Sequence, residues 1–313
     1  MEKLNPMNPK RRENIKGEPK EISIITHRGL DQTKENYYFA ESSREAFADQ
    51  IKRGFGLEFD PQVTKDNGFA VLHDQTLNRP TAGLDARKVS EVTLPDLLKM
   101  DMNGSHFISF KELLRMIADN PRNTSINAIH IKSKLQKPEY LDKILRELQE
   151  ADPERFMLFD LIIDAARYLK EKNPKLHLAP SIAHPYDIER YNTAVGGTLL
   201  SQEQLMNNRE LYDWVWLDEW DRTDKNGGIK SLYNKAMFES LRDAKFNIAL
   251  VSPELHATSP GLLGGETHQD AASEETLKKR FEEIAALRPD AVCTDYPDML
   301  QNIFITYHGS IQS

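Results

Sequence analysis

The stretch GLEFDPQVTKDNGFAVLHD, residues 56–74, holds two short apolar runs that each stop on titratable side chains, Leu57-Glu58-Phe59-Asp60 and Val71-Leu72-His73-Asp74. Side chains alternate along a strand, so Glu58 and Asp60 share one face and Leu57 and Phe59 the other. The same device recurs on either side. Upstream, the strand expected over 22–26 runs into Thr26-His27-Arg28-Gly29. Downstream, the strand expected over 125–132 ends Ala128-Ile129-His130-Ile131-Lys132, with His130 and Lys132 on one face and Ile129 and Ile131 opposite. Apolar strands that end on polar side chains are the pattern of an α/β barrel, whose active site sits at the C-terminal ends of its strands.

Working outward, strand-like runs alternate with helical ones. Strands are expected over 22–26, 55–60, 125–132, 156–159, 176–181, 214–217, 246–251 and 291–294, with an extra short strand over 69–73. Helices are expected over 41–53, 109–118, 138–150, 161–172, 186–195, 202–211, 232–244 and 274–287. Eight main strands in a chain of 313 residues point to an α/β fold of one closed (β/α)8 TIM-type barrel, spanning 21–313. No glycine-rich dinucleotide fingerprint follows the first strand, which argues against an open doubly wound sheet. Residues 1–20, rich in Lys, Arg, Glu, Asn and Pro, read as a flexible arm, and the loop 258–272 as a mobile flap.

With 41 Lys and Arg against 49 Asp and Glu, the net charge is −8. No basic stripe interleaved with aromatics is present, so a nucleic-acid partner is not expected. One cysteine, Cys293, allows no intrachain disulfide. The first 20 residues hold no apolar core of a signal peptide, and no run approaches the roughly 20 apolar residues that span a bilayer. A cytoplasmic protein without membrane insertion is the expectation.

The strand-end residues form a kit for phosphate chemistry. Glu58 and Asp60 offer hard oxygen ligands for one divalent metal ion, Ca2+ or Mg2+, which would polarise a phosphoryl oxygen. Arg28 and Lys132 add positive charge for the same anion. His27 and His73, with ordinary pKa values near neutrality, suit acid and base work. A single histidine at a strand end is more often a hydrogen-bonded structural residue; it is the joint occurrence that favours chemistry. Two further candidates follow later strands: Trp220, able to stack on a substrate, and Glu254 in Ser252-Pro253-Glu254-Leu255-His256. Trp214 and Trp216 read as core.

These motifs resemble the glycerophosphodiester phosphodiesterases. The resemblance rests on THRG at 26–29, EN at 35–36, REAF at 44–47, GLEFDPQVTKDNGFAVLHDQTLNRPTAG at 56–83, ISFKELL at 108–114 and AVCTDYPDML at 291–300. It implies that His27 and His73 are the acid/base pair, that Arg28 contacts phosphate and that Glu58 and Asp60 bind metal. It also implies attack by a neighbouring hydroxyl of the substrate alcohol. The family usually carries a glutamate two residues before its strand-end lysine, where this chain has His130. An imidazole there removes a negative charge and softens the ligand set toward Mn2+ or Zn2+. A second departure is a longer spacer between Asn36 and Arg44. The expected substrate is a small-molecule glycerophosphodiester. The alternatives are a lipid head-group enzyme in the manner of phospholipase D or sphingomyelinase D, and a non-catalytic barrel that binds a phosphate ligand.

Overall fold

The computed structural model describes residues 22–32, 37–121, 123–149, 151–255 and 268–311. The expected arm over 1–20, the Glu35-Asn36 pair and most of the 258–272 loop lie outside them. Parallel strands β1 (Ser23–His27), β2 (Gly56–Phe59), β3 (Asn127–His130) and β4 (Phe156–Phe159) lie side by side. On the other side of β1 lie β8 (Ala291–Thr294), β7 (Asn247–Val251) and β6 (Trp214–Asp218). The two edges meet at β5, which the sequence reading treats as one strand and the structure splits. Its first part, His177–Leu178, pairs with β4, and its second, Ser181–Ala183, pairs with β6. Ala179 N donates to Leu158 O (2.9 Å) and Trp216 N to Pro180 O (3.0 Å), so the bend at Ala179-Pro180 ties both neighbours. Proline has no N–H for the ladder, which is why the strand breaks there. The result is the closed barrel. A further short strand, Leu199–Leu200, pairs with Ser181–Ala183.

Strand parity sorts the apolar residues into two layers. Inside the barrel lie Ile25, Ala128, Met157, Phe159, Trp214, Trp216, Ala249, Val251, Ala291 and Cys293. Facing the helices lie Leu57, Phe59, Ile129, Ile131, Leu158, Val215, Leu217, Ile248, Leu250 and Val292. Each large aliphatic or aromatic side chain so buried contributes on the order of 2 kcal/mol. Helix α1 (Arg44–Arg53) brings Phe47 edge-on to Phe59 (6.2 Å), and α2 (Phe110–Ala118) brings Phe110 beside the same ring (6.1 Å). Both helices start on a serine cap: Ser43 Oγ accepts from Ala46 N, and Ser109 Oγ from Glu112 N. Helices α3 (Pro138–Leu148), α4 (Ile163–Lys172), α5 (Pro185–Tyr191), α6 (Gln202–Asn207), α7 (Lys235–Asp243) and α8 (Glu274–Leu287) complete the outer layer, with α9 (Pro297–Ile311) after the last strand. Among the described residues no helix is long and apolar enough to cross a membrane.

Differences from the sequence expectation have local causes. The helix expected from 41 begins at Arg44, because Ser43 is its cap. The helix expected over 186–195 stops at Tyr191, and the chain then turns through Gly196 and Gly197, both at φ above 80°. The one over 202–211 breaks at Asn208 into a 3-10 turn, Arg209–Leu211. Helix α9 was not expected. The segment before His73 is no barrel strand: Phe69–Val71 pairs antiparallel with Pro61–Val63 in an excursion between β2 and α2. That excursion has its own small core of Leu72, Leu77, Val89, Val92, Leu97, Met102 and Phe107.

Gly56 starts β2 where the backbone of the next strand leaves no room. A Cβ there would lie 2.1 Å from Ile126 O. Gly56→Ala is therefore expected to force β2 and β3 apart and lower the melting temperature by more than about 3 °C, measured by thermal denaturation.

Candidate active site

The strand ends deliver their side chains to one mouth. His27, the last residue of β1, sets its Nδ1 3.1 Å from Asp295 Oδ1, just beyond β8. Arg28 follows at φ 55°, a strained conformation for a residue with a side chain, and its N–H donates to Glu58 O (3.1 Å). Its guanidinium lies between two carboxylates, with Nη1 3.4 Å from Glu41 Oε1 and Nε 3.7 Å from Asp60 Oδ2. Glu58, in β2, and Asp60, just past its end, face the barrel axis, and both are buried. From β3, His130 sets Nδ1 2.9 Å from Asp60 Oδ1 and 4.0 Å from Glu58 Oε1, while its Nε2 is 3.2 Å from Asp160 Oδ2. Lys132 Nζ lies 3.1 Å from Asp60 Oδ1 and donates to His73 O (2.8 Å). Gln136 clamps the neighbouring rim. Its Nε2 donates to Ile131 O and Asp160 O (2.7 Å each), and its Oε1 accepts from Ile162 N (2.9 Å).

His73 arrives from the excursion. Its Nδ1 is 2.9 Å from Asp74 Oδ1, and Asp74 accepts from Arg79 Nε (2.8 Å) and Nη2 (2.6 Å). Arg79 Nη2 also donates to Glu41 Oε1 (2.5 Å). A continuous chain of charge-assisted contacts thus runs Arg28, Glu41, Arg79, Asp74, His73.

Electrostatics follow from burial. Burial, reinforced by Asp60, pushes the Glu58 carboxyl above its usual range. Burial would raise Asp60 too, but Lys132, His73 and the His130 hydrogen bond outweigh it and hold Asp60 well below. Burial would lower His130, yet its hydrogen bonds to Asp160 and Asp60 win and raise it. For His73 burial dominates and pushes the imidazole down to about 4.

One ligand atom each from Glu58, Asp60 and His130 lies within 4.8 Å of the others. Glu58 Oε2 and Asp60 Oδ2 are buried and make no hydrogen bond within the described protein. Two carboxylates and an imidazole, with oxygens left over and one carboxyl resisting ionisation, suit a divalent cation. His130 would offer Nδ1, since Asp160 keeps Nε2.

A cavity of about 620 Å³ opens over this set. His27, Arg28, Glu58, His73, His130 and Lys132 line one side, and Trp216, Trp220 and Leu255 are also on its wall. Two of the residues singled out from sequence are not on the lining. Asp60 is fully buried, held by His130 and Lys132. Glu254 is held elsewhere: its Oε1 accepts from Ser252 Oγ (2.6 Å), Thr294 Oγ1 (2.6 Å) and Asp295 N (3.0 Å). Burial, helped by Asp295, lifts Glu254 to about 7. Sequence reasoning did not single out Asp74, Asp160 and Asp295 as site residues, although each directly follows a strand end or a candidate histidine. Glu41 and Arg79 carry no such signal, because they meet only through the fold.

A glycerophosphodiester phosphodiesterase of Caldanaerobacter subterraneus subsp. tengcongensis is 27% identical over 166 residues, which are 50% of this chain and 64% of that relative. The chain thus matches less than two thirds of that relative's length. Among solved structures, a glycerophosphodiester phosphodiesterase of Thermotoga maritima has a TM-score of 0.56 at 17% identity, covering 92% of this chain and 98% of its own. A phosphodiesterase of Oleispira antarctica, in complex with the product sn-glycerol-3-phosphate, has a TM-score of 0.60 at 14% identity, covering 90% and 96%. Identities this low establish a shared fold. Residues 27–215, more than half of the sequence and including every strand from β2 through β5, match the glycerophosphoryl diester phosphodiesterase family, and the chain belongs to that family.

Proposed function

We propose that the protein hydrolyses a glycerophosphodiester to an alcohol and a phosphomonoester, with His27 and His73 moving protons and a divalent metal ion held by Glu58, Asp60 and His130. The observation that carries the proposal is the pair of histidines on one cavity. Each has Nδ1 engaged by an aspartate, Asp295 for His27 and Asp74 for His73, which fixes the orientation of the ring toward the cavity. Family membership and the sn-glycerol-3-phosphate complex of the Oleispira antarctica phosphodiesterase support the choice of substrate.

The diester phosphate lies against Arg28 and Lys132, and Lys132 also helps to keep Asp60 ionised. A bound divalent ion supplies Lewis-acid polarisation of a phosphoryl oxygen. His73, kept neutral by burial, takes the proton from the attacking hydroxyl. His27, steadied by Asp295, gives a proton to the leaving alcohol oxygen. A neighbouring glycerol hydroxyl is the nucleophile; it closes a cyclic phosphate, which water then opens with the proton roles reversed. Positioning supplies much of the rate, because the nucleophile is already part of the substrate. Glu254 acts behind this layer by holding the backbone of Asp295. Trp220 lies on the cavity wall, where it contacts the alcohol.

Three outcomes test this. After chelation, turnover of glycerophosphodiesters should vanish and return with one of Ca2+, Mg2+, Mn2+ or Zn2+. His27→Ala or His73→Ala should lower kcat at least about a hundredfold with the fold intact by circular dichroism; a loss under threefold in either would remove that histidine from the chemistry. Arg79→Met breaks the chain from Arg28 to His73. It should lower kcat about tenfold with little change in KM, and Arg79→Lys should restore part of the loss.

A further inference from the structure

Arg28, Lys132 and Lys134 all line the cavity, and they differ in what balances them. Arg28 faces Glu41 and Asp60, and Lys132 faces Asp60. Lys134 has only a neutral amide: its Nζ donates to Gln62 Oε1 (2.5 Å), and among the described residues it forms no ion pair. Its place on the exposed rim is fixed from two sides. It lies in the 3-10 turn Ser133–Leu135 that follows β3, closed by Leu135 N donating to Lys132 O (2.8 Å) and anchored by the buried Leu135 side chain. Gln62, itself buried, reaches it from the excursion and with Nε2 donates to His73 O (2.8 Å). The same carbonyl accepts from Lys132, so one hydrogen-bonded path through His73 O and Gln62 joins the two ammonium groups. Partial loss of water, then the like charge of Lys132, lowers the Lys134 ammonium to about 8, and Asp60 offsets only part of this. Gln75, Thr76, Ser133 and Gly196 are on the same cavity lining. A Cβ at Gly196 would lie 2.2 Å from Ser133 Oγ, so the loop after α5 lays bare backbone against Ser133.

We infer that Lys134 anchors a second anion subsite, and that the preferred diester carries on one arm a further anionic group, a phosphate or a carboxylate. The inference rests on the phosphodiesterase reading above and narrows its substrate. Charge gives the first reason. A diester linkage brings one negative charge, which Arg28, Lys132 and the proposed metal ion already meet. Lys134 adds a cation that no protein carboxylate pairs with, beside a like charge that disfavours it, and a second anion relieves both. Hydrogen bonding gives the second. An ammonium has three N–H donors; Gln62 accepts one, and the others suit an anionic oxygen. The Ser133 and Thr76 hydroxyls and the Gln75 amide add neutral donors on the same lining. A cationic arm would be repelled here, and an acyl chain would strip water from the ammonium without replacing its hydrogen bonds.

The test uses the full chain with whichever divalent ion supports turnover, and two pairs of diesters that differ in one anionic group. Glycerophosphoserine is compared with glycerophosphoethanolamine, and glycerophosphoglycerol bearing a terminal phosphate with glycerophosphoglycerol. In at least one pair the anionic member should exceed the other in kcat/KM by about fivefold or more, mainly through KM. That advantage should shrink as salt rises from about 0.05 to 0.5 M. A preference confined to one pair names the group as carboxylate or phosphate. In Lys134→Met the ratio should fall to within about twofold of one, and Lys134→Arg should keep most of it. Ratios near one in both pairs for the unmodified chain would overturn the subsite. So would a ratio that Lys134→Met leaves unchanged, or an equal loss for both members of a pair, which would make Lys134 a contact to the reacting phosphate alone. Failure to hydrolyse any diester with any metal would instead strike the phosphodiesterase reading; calorimetric binding of the same pairs, with the same ratio expected in affinity, then decides the subsite by itself.

Discussion

Two carboxylates, Glu58 and Asp60, stand two residues apart on the same face of β2's end, buried at the mouth of the barrel. Two like charges about 4 Å apart at an effective dielectric near 20 repel by on the order of 4 kcal/mol. That repulsion has to be met, and the surrounding residues meet it. Lys132 and Arg28 approach Asp60 from β3 and β1, and His130 lies between both carboxylates. Asp60 wins the contest for positive charge and stays ionised, while Glu58 is pushed toward its protonated form. A bound cation reverses the disadvantage of Glu58, and the same positive ring is what a phosphate anion seeks. The proposed metal and phosphate would therefore draw on the same electrostatic imbalance that the fold creates.

Holding such a cluster needs a stiff frame. Residues with side chains sit at positive φ at two of the strand ends that matter, Arg28 after β1 and Asp160 after β4. Each is tied by specific bonds, Arg28 through its N–H to Glu58 O and Asp160 through Gln136. Strain at functional positions persists only where the surroundings over-determine it. Below the site, the inner layer of Ile25, Met157, Trp214, Ala249 and Ala291 fills the barrel with apolar side chains, so the polar cluster is confined to the open end.

Much of this was legible from local pattern. Parity placed Glu58 with Asp60 and His130 with Lys132, and the structure puts Leu57, Phe59, Ile129 and Ile131 against the helices as alternation requires. The strands over 156–159 and 291–294 appear at the expected bounds. What pattern could not show was long-range. Nothing near Arg79 in sequence says that it bridges Glu41 and Asp74, and nothing near Glu254 says that its carboxyl turns to the Asp295 backbone. Pro180 predicts a break, but not that the broken strand closes the barrel. His73 looked like a strand-end residue and is one, though on a hairpin outside the barrel sheet. Trp216, read as core, is both core and cavity wall, because the inner face of a barrel strand becomes the site near its C-terminal end.

The histidine in place of the family's usual glutamate gives the account its sharpest exposure. His130 binds Asp60 on one nitrogen and Asp160 on the other, so a metal must compete for the Nδ1 side. The most direct measurement is a crystal structure of the protein with Mn2+ and sn-glycerol-3-phosphate, with the ion located by its anomalous signal. The account predicts one ion touching Glu58 and Asp60 and a phosphate between that ion, Arg28 and Lys132. A phosphate bound with no ion at the two carboxylates, or an ion bound elsewhere, would contradict it.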